Sequence, residues 1–178
     1  MVTQHVKIPR ERIGVLIGQN GFVKDDLERK SRSAITVDSI DGEVCIESPG
    51  DGDPLLALRV AEVVKAIGRG FSPENARALL DDELLLFEVI SLADLSPKTL
   101  SRTKGRVIGQ NGKTRRALEA LAEVKISVYG KTISLLGYAD KVRVASEAID
   151  MLIRGAPHSS VYRFLERKRK AEEEQLGW

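Results

Sequence analysis

The chain opens on an alternation. Val2, Gln4, Val6 and Ile8 fall on one side and Thr3, His5 and Lys7 on the other, which is the two-residue period of a strand with one solvated face. Pro9 ends that pattern, because its ring removes a ladder donor while its fixed φ suits the opening of a helix. From Arg10 to Ile17 the apolar residues Ile13, Leu16 and Ile17 recur at helical spacing, until Gly18-Gln19-Asn20-Gly21 interrupts them. The helical period resumes over "FVKDDLERKS" and predicts Phe22, Val23 and Leu27 facing inward with the charges outward. Two alternating segments follow, "AITVD" and "EVCIE", joined through "SIDG", whose Asp41-Gly42 pair is a hairpin signal. "PLLALRVAEVVKAI", Pro54 to Ile67, reads as a helix that packs across the sheet and stops before Gly68.

The same order of elements recurs ninety-one residues later. Gly14 falls on Gly105, Ile17 on Ile108, Gly18 to Gly21 on Gly109 to Gly112, Leu27 on Leu118, Glu28 on Glu119, Ile35 on Ile126 and Val37 on Val128, without a gap. Two copies at so long a period imply a duplicated domain rather than a solenoid. The second copy runs from the strand "ELLLFEVISL" to the helix "SPKTLSRTKGRVI", with Ser96 as cap and Pro97 at the first helical position. After the glycine loop come the helix "KTRRALEALA", the strands "VKISVY" and "TISLL" around a tighter Gly130 turn, and the helix "ADKVRVASEAIDMLIRG". This hairpin is two residues shorter than the first. The expected organisation is a first domain over 1–70, a helical connector over 71–82, a second domain over 83–156, and a C-terminal helix and tail over 157–178. The connector begins at Ser72-Pro73-Glu74 and would fix one domain against the other. In the tail, Ser159 or Ser160 is the expected cap, and Val161, Phe164 and Leu165 form an apolar stripe beside the charged run "RKRKAEEE".

Composition sharpens this picture at four points. With 42% apolar and 30% charged residues the chain is an ordinary globular protein. It has no apolar run long enough to span a bilayer and no apolar leader in "MVTQHVKIPRER", so it is expected in the cytoplasm. Cys45 is the single cysteine, which excludes an intrachain disulfide and a cysteine-rich zinc site; on its alternating segment it reads as a small packed hydrophobe. The net charge of +2 conceals an asymmetry: residues 1–91 hold 11 Lys/Arg against 16 Asp/Glu, a net of −5, and residues 92–178 hold 17 against 10, a net of +7. Clustered cations of that kind suit a polyanion, because they displace its counterions.

Several chemistries compete for the glycine loop. In "RVIGQNGKT", Gly112-Lys113-Thr114 matches the end of a phosphate-binding P-loop, but Val107 stands where its first glycine must be. A dinucleotide fingerprint fails too, since the glycine spacing is wrong and the loop follows a helix where that motif follows a strand. A lone GxxG is often only a turn between helices. Two in register, within strand-helix-helix-strand-strand-helix, resemble the type I KH domain, an α/β (α+β) fold whose GxxG loop clamps the backbone of about four nucleotides. The physical reading agrees: two glycines remove side chains where a phosphate chain must approach, and the helix that follows presents N–H groups to the anion. The candidate RNA-binding residues are Gly109, Gln110, Asn111, Gly112, Lys113, Arg115, Arg116, Lys104, Arg106 and Ile126 in the second copy. In the first they are Gly18, Gln19, Asn20, Gly21, Lys24 and Ile35. Bases are expected on an apolar groove between the post-loop helix and a central strand carrying Ile35 or Ile126. Because Lys24 is followed by Asp25 and Asp26, the first loop is expected to bind RNA more weakly or to serve a protein contact.

The paired loops, the helical connector and above all the tail "APHSSVYRFLERKR" resemble archaeal members of the partner-of-Nob family of ribosome assembly factors. The resemblance covers essentially the whole chain. It implies single-stranded RNA near the 3′ end of the small-subunit ribosomal RNA precursor as ligand, and the Nob-type endonuclease as partner, with a translation initiation factor as a further one. In eukaryotic relatives the first domain has lost its GxxG loop, whereas Gly18 and Gly21 are intact here. The residues offer no catalytic constellation, since His5 and His158 are far apart and no nucleophile or carboxylate cluster accompanies them. The chain is therefore expected to be a monomeric RNA-binding protein, not an enzyme, with neither cofactor nor metal. An alternative keeps the fold and makes it an adaptor associated with translation or the exosome.

Overall fold

The structure, a computed structural model, describes residues 1–177. The chain divides into two compact units, Met1–Glu83 and Leu84–Trp178. In the first, β1 (Val2–Lys7), α1 (Arg10–Ile17), α2 (Phe22–Ser31), β2 (Ala34–Val37), β3 (Glu43–Ser48) and α3 (Pro54–Gly68) are followed by α4 (Pro73–Asp81). In the second, β4 (Leu85–Ser91), α5 (Pro97–Ile108), α6 (Lys113–Ala122), β5 (Lys125–Tyr129), β6 (Thr132–Tyr138) and α7 (Ala139–Ile153) are followed by α8 (His158–Gln175). Each unit has one antiparallel three-stranded sheet, in the orders β1-β3-β2 and β4-β6-β5. Val37 pairs with Val44 seven positions on and Val128 with Ile133 five positions on, so the second hairpin is two residues shorter, as its sequence indicates.

Three helices start by one device, a side-chain oxygen followed by proline. Asp53, Ser72 and Ser96 accept from the N–H groups of Leu55, Asn75 and Thr99, and Pro54, Pro73 and Pro97 take the position whose N–H has no helical partner. The alternation of β1 is as expected, with Val6 and Ile8 buried and Thr3, His5 and Lys7 exposed. The core of the first unit includes Leu16, Leu27, Ile35, Val44, Ile46, Val60, Val64 and Ile67; that of the second includes Val107, Leu118, Ile126, Ile133, Leu135, Ile149 and Leu152.

Each unit secures the helix that follows its hairpin, α3 or α7, with an arginine from the helix before the glycine loop. Arg12 donates from Nε to the Ile67 carbonyl at 2.7 Å and from Nη2 to that of Phe71 at 2.8 Å. Arg106 donates to the carbonyls of Leu152 and Ala156, and His158 Nε2 meets the Arg106 carbonyl at 2.9 Å. The Ile67 and Leu152 carbonyls already accept the N–H groups of Gly70 and Gly155, so each guanidinium adds a second donor there and ties in the carbonyl of the segment that follows, at Phe71 or Ala156. The two arginines are not related by the ninety-one-residue offset, so the same fastening is made from different positions of equivalent helices.

Several expectations are corrected. Phe22 is 65% exposed, not inward, whereas Asp26 is buried, because α4 packs back and brings Arg77 to 3.2 Å while Arg29 lies at 2.7 Å. Neither Ser159 nor Ser160 caps α8: Pro157 stands at the cap, and both serines lie within the first turn. Cys45 pairs with His5 and Thr36 on the solvated face of its sheet, opposite the core residues Val44 and Ile46, and is only half-buried. The strands carrying Ile35 and Ile126 are edge strands rather than central ones.

Candidate nucleic-acid interface

The two GQNG loops have one backbone. Gly18 and Gly109 take φ/ψ of 75/175° and 71/176°, Asn20 and Asn111 take 55/27° and 55/28°, and Gly21 and Gly112 take 76/9° and 74/13°. Three of four residues thus have positive φ, and asparagine is among the few non-glycine residues that accept that region readily. A Cβ on Gly18 would come within 2.5 Å of Val23 Cγ2 and one on Gly109 within 2.2 Å of Thr114 Oγ1, so packing as well as φ demands glycine there. Each loop is closed by the same bonds, Gly18 N–H to Gly14 O and Gly21 N–H to Gly18 O in one copy, Gly109 N–H to Gly105 O and Gly112 N–H to Gly109 O in the other.

At the second glycine of the loop the copies diverge. A Cβ built on Gly21 would lie 3.7 Å from a carboxylate oxygen of Asp25, whereas one on Gly112 would lie 3.3 Å from Nη1 of Arg116. Asp25 and Arg116 are the same position of the repeat. Two more exposed positions change in the same sense: Glu11 in α1 corresponds to Arg102 in α5, and Phe22 to Lys113. The surface beside the first loop is therefore acidic and aromatic, and that beside the second is cationic.

The candidate residues sort into three groups. Lys113 and Arg116 are exposed and Lys104 half-exposed, and none has a carboxylate partner among the described residues. Arg106 is committed to the end of α7 and sits on the structural side. Lys24 and Arg115 are ion-paired to Glu28 at 3.3 Å and Glu119 at 3.2 Å, and those same carboxylates accept the N–H of Ile35 at 2.8 Å and of Ile126 at 3.1 Å. The Ile35 and Ile126 side chains are 2% and 3% exposed; they lie in the core and carry the edge strand rather than offering a surface to bases.

Two features of the surface become visible only in the fold. Gly14 and Gly105 lie exposed within helices, and a Cβ on either would meet nothing within 4 Å. Nothing in the protein requires glycine there, although glycine costs a helix about 1 kcal/mol relative to alanine. Lys98 and Arg102 share the exposed face of α5 with Gly105 at four- and three-residue steps, a spacing visible in the sequence once the buried face is known.

An antiparallel sheet β1-β3-β2 with a helix–GxxG–helix hairpin before its edge strand, made twice, defines a tandem KH-domain protein. Residues 86–170 match the family described as a eukaryotic-type KH domain (KH-domain type I), specifically the second KH domain of PNO1. The chain is 45% identical over 168 residues to a KH domain-containing protein of Methanocaldococcus jannaschii, covering 93% of this chain and 73% of that one. It is 35% identical to the pre-rRNA-processing protein pno1 of Schizosaccharomyces pombe, over 65% of this chain and 49% of that one. Among solved structures, Dim2p in an a/eIF2α–Dim2p–rRNA complex from Pyrococcus horikoshii superposes with a TM-score of 0.90 at 44% identity, over 96% of this chain and 95% of that one. The chain belongs to the PNO1/Dim2 family of KH-domain proteins. It spans about half the length of the fungal relative.

Proposed function

We propose that this protein is an RNA-binding ribosome assembly factor that holds small-subunit ribosomal RNA near its 3′ end, chiefly through the loop of its second KH domain, and assists maturation of that end by a Nob-type endonuclease. The observation that carries the division of labour is the residue beside the second glycine of the loop, a carboxylate at Asp25 and a guanidinium at Arg116, on one backbone. A phosphate drawn to the open N–H groups of the loop is repelled by the first side chain and attracted by the second. The names of relatives support the RNA class: one is a pre-rRNA-processing protein, and another is in a complex with rRNA and a/eIF2α. A translation factor of that type is the partner this likeness favours.

Within this reading, Gly109, Gln110, Asn111 and Gly112 present the backbone, Lys113, Arg116 and Lys104 neutralise phosphates, and Gly105 lets the chain pass close to α5. The domain boundaries follow the two compact units, with α4 belonging to the first. Crosslinking followed by sequencing of the bound RNA is the decisive experiment. Enrichment at the small-subunit RNA 3′ end is expected, whereas reads spread over messenger RNA, with copurification of exosome or initiation factors alone, would favour an adaptor. The narrower test is Gln110→Asp with Asn111→Asp in the full chain. Aspartate also tolerates the left-handed region at position 111, so the turn survives while phosphate is repelled. Unchanged affinity in that folded variant rules out the loop as the clamp.

A further inference from the structure

Arg115 stands apart from the other cations of the second loop. Its Nη1 donates to Glu119 Oε1 at 3.2 Å and to the Ile126 carbonyl at 3.5 Å, while its Nη2 lies 3.9 Å from where a Cβ on Gly112 would be. The guanidinium thus spans from the loop to the edge strand β5, across the space a nucleotide clamped at the loop would use. Glu119 fixes it there, because its second oxygen accepts the Ile126 N–H at 3.1 Å. An arginine has five N–H donors; among the described residues, those on Nε and Nη2 donate to nothing.

We propose that Arg115 reads a base, not a phosphate, and that the base it selects is guanine, with Glu119 as its positioning residue. The inference rests on the RNA-binding reading of the second loop. Two arguments favour a base. The Glu119 carboxylate cancels the charge of Arg115, so an approaching phosphate meets a neutral pair and a nearby anion, whereas the uncharged acceptors of a base suffer no such repulsion. Lys113 and Arg116, exposed and without carboxylate partners among the described residues, are the cations left free for the phosphates. The choice of guanine follows from geometry: with Nη1 committed, the remaining edge of the planar fork, Nε–H beside Nη2–H, matches the adjacent O6 and N7 acceptors, whereas adenine offers a donor and an acceptor. In the first unit the equivalent residue is Lys24, paired to Glu28 at 3.3 Å, and an ammonium has no fork.

The test uses the full chain and oligouridine decamers carrying at the centre one guanosine, inosine, 7-deazaguanosine or adenosine. Wild type is expected to bind the guanosine and inosine probes about tenfold more tightly than the adenosine probe, with the 7-deaza probe between, since it keeps O6 and lacks N7. Arg115→Lys keeps the charge and loses the fork; its preference is expected to fall within twofold while its salt dependence is retained. Glu119→Gln keeps an acceptor for Ile126 and frees Arg115, so it is expected to bind all probes more tightly and discriminate less. Circular dichroism checks the fold of each variant, and Arg115→Gln serves as a second substitution. The proposal is overturned if wild type shows no preference, or if Arg115→Lys discriminates as wild type does. It is overturned as well if Arg115→Gln weakens every probe equally with a salt slope reduced by about 0.7, the mark of one lost phosphate contact. Failure of the underlying reading looks different: either wild type binds no probe, or the Gln110→Asp, Asn111→Asp variant binds as tightly as wild type, and either result overturns both.

Discussion

Gly105 is the residue at which stability and binding part company. Its exposed place in α5 has no internal reason, so replacing it is expected to separate stability from binding. Gly105→Ala should raise stability by about 1 kcal/mol, read as a higher melting temperature, and lower RNA affinity severalfold in a fluorescence titration. A variant more stable and equally tight would remove α5 from the interface. Gly109→Ala is expected to behave oppositely and lose stability, because the added methyl meets Thr114 at a φ of 71°. The glycines were legible in the sequence because spacing alone singles them out. The reach of Arg115 and Glu119 to the backbone of Ile126 was not, since it depends on where α6 lies relative to β5.

Among the elements, the last helices show how charge and packing divide their work. Arg106 was expected in the RNA site, and its guanidinium instead holds the end of α7. Arg106→Ala is therefore expected to destabilise the second unit by about 3 kcal/mol in denaturant unfolding and to leave the salt slope of RNA binding unchanged. A slope reduced by about 0.7 with stability intact would restore Arg106 to the phosphate path. The helix α8 docks through Val161 and Leu165 and through Lys141, which bonds Glu172 and lies 3.5 Å from Glu123. Burial pushes the Lys141 ammonium down, but the bond to Glu172 and the charges of Glu123 and Glu172 outweigh it and hold the group above its ordinary value. A raised lysine contributes stability that is fully present below the unfolded value, about 10.4, and is lost as pH rises through the folded one. The hydrogen-exchange protection factor over 161–172, taken relative to the base-catalysed intrinsic rate, should therefore be independent of this group from neutral pH to about 10. In Lys141→Met it should already be lower at neutral pH. The positions of these helices were readable from periodicity, but the burial of Asp26 was not, because its partner Arg77 is fifty-one residues away.

For the whole molecule, duplication has yielded two loops of one geometry in surroundings of opposite charge. Met1–Glu83 holds 11 Lys/Arg and 15 Asp/Glu, a net of −4, and Leu84–Trp178 holds 17 and 11, a net of +6. The aspartate pair placed at Gln110 and Asn111 is expected to reduce RNA affinity at least tenfold, and the same pair at Gln19 and Asn20 less than threefold, both in the full chain. Equal losses would show that the first loop clamps as strongly as the second. The duplicated order of elements, the glycine positions and the charge asymmetry were determined by the sequence itself, because periodicity, left-handed backbone and net charge are local or additive properties. Tertiary structure alone decided that Arg106 is spent on carbonyls, because Leu152 and Ala156 are brought to its guanidinium from distant parts of the chain and no spacing along the sequence encodes that approach. The pairs Lys24–Glu28 and Arg115–Glu119 are local, four residues apart on one helix, but only folding brings the N–H groups of Ile35 and Ile126 to the same carboxylates.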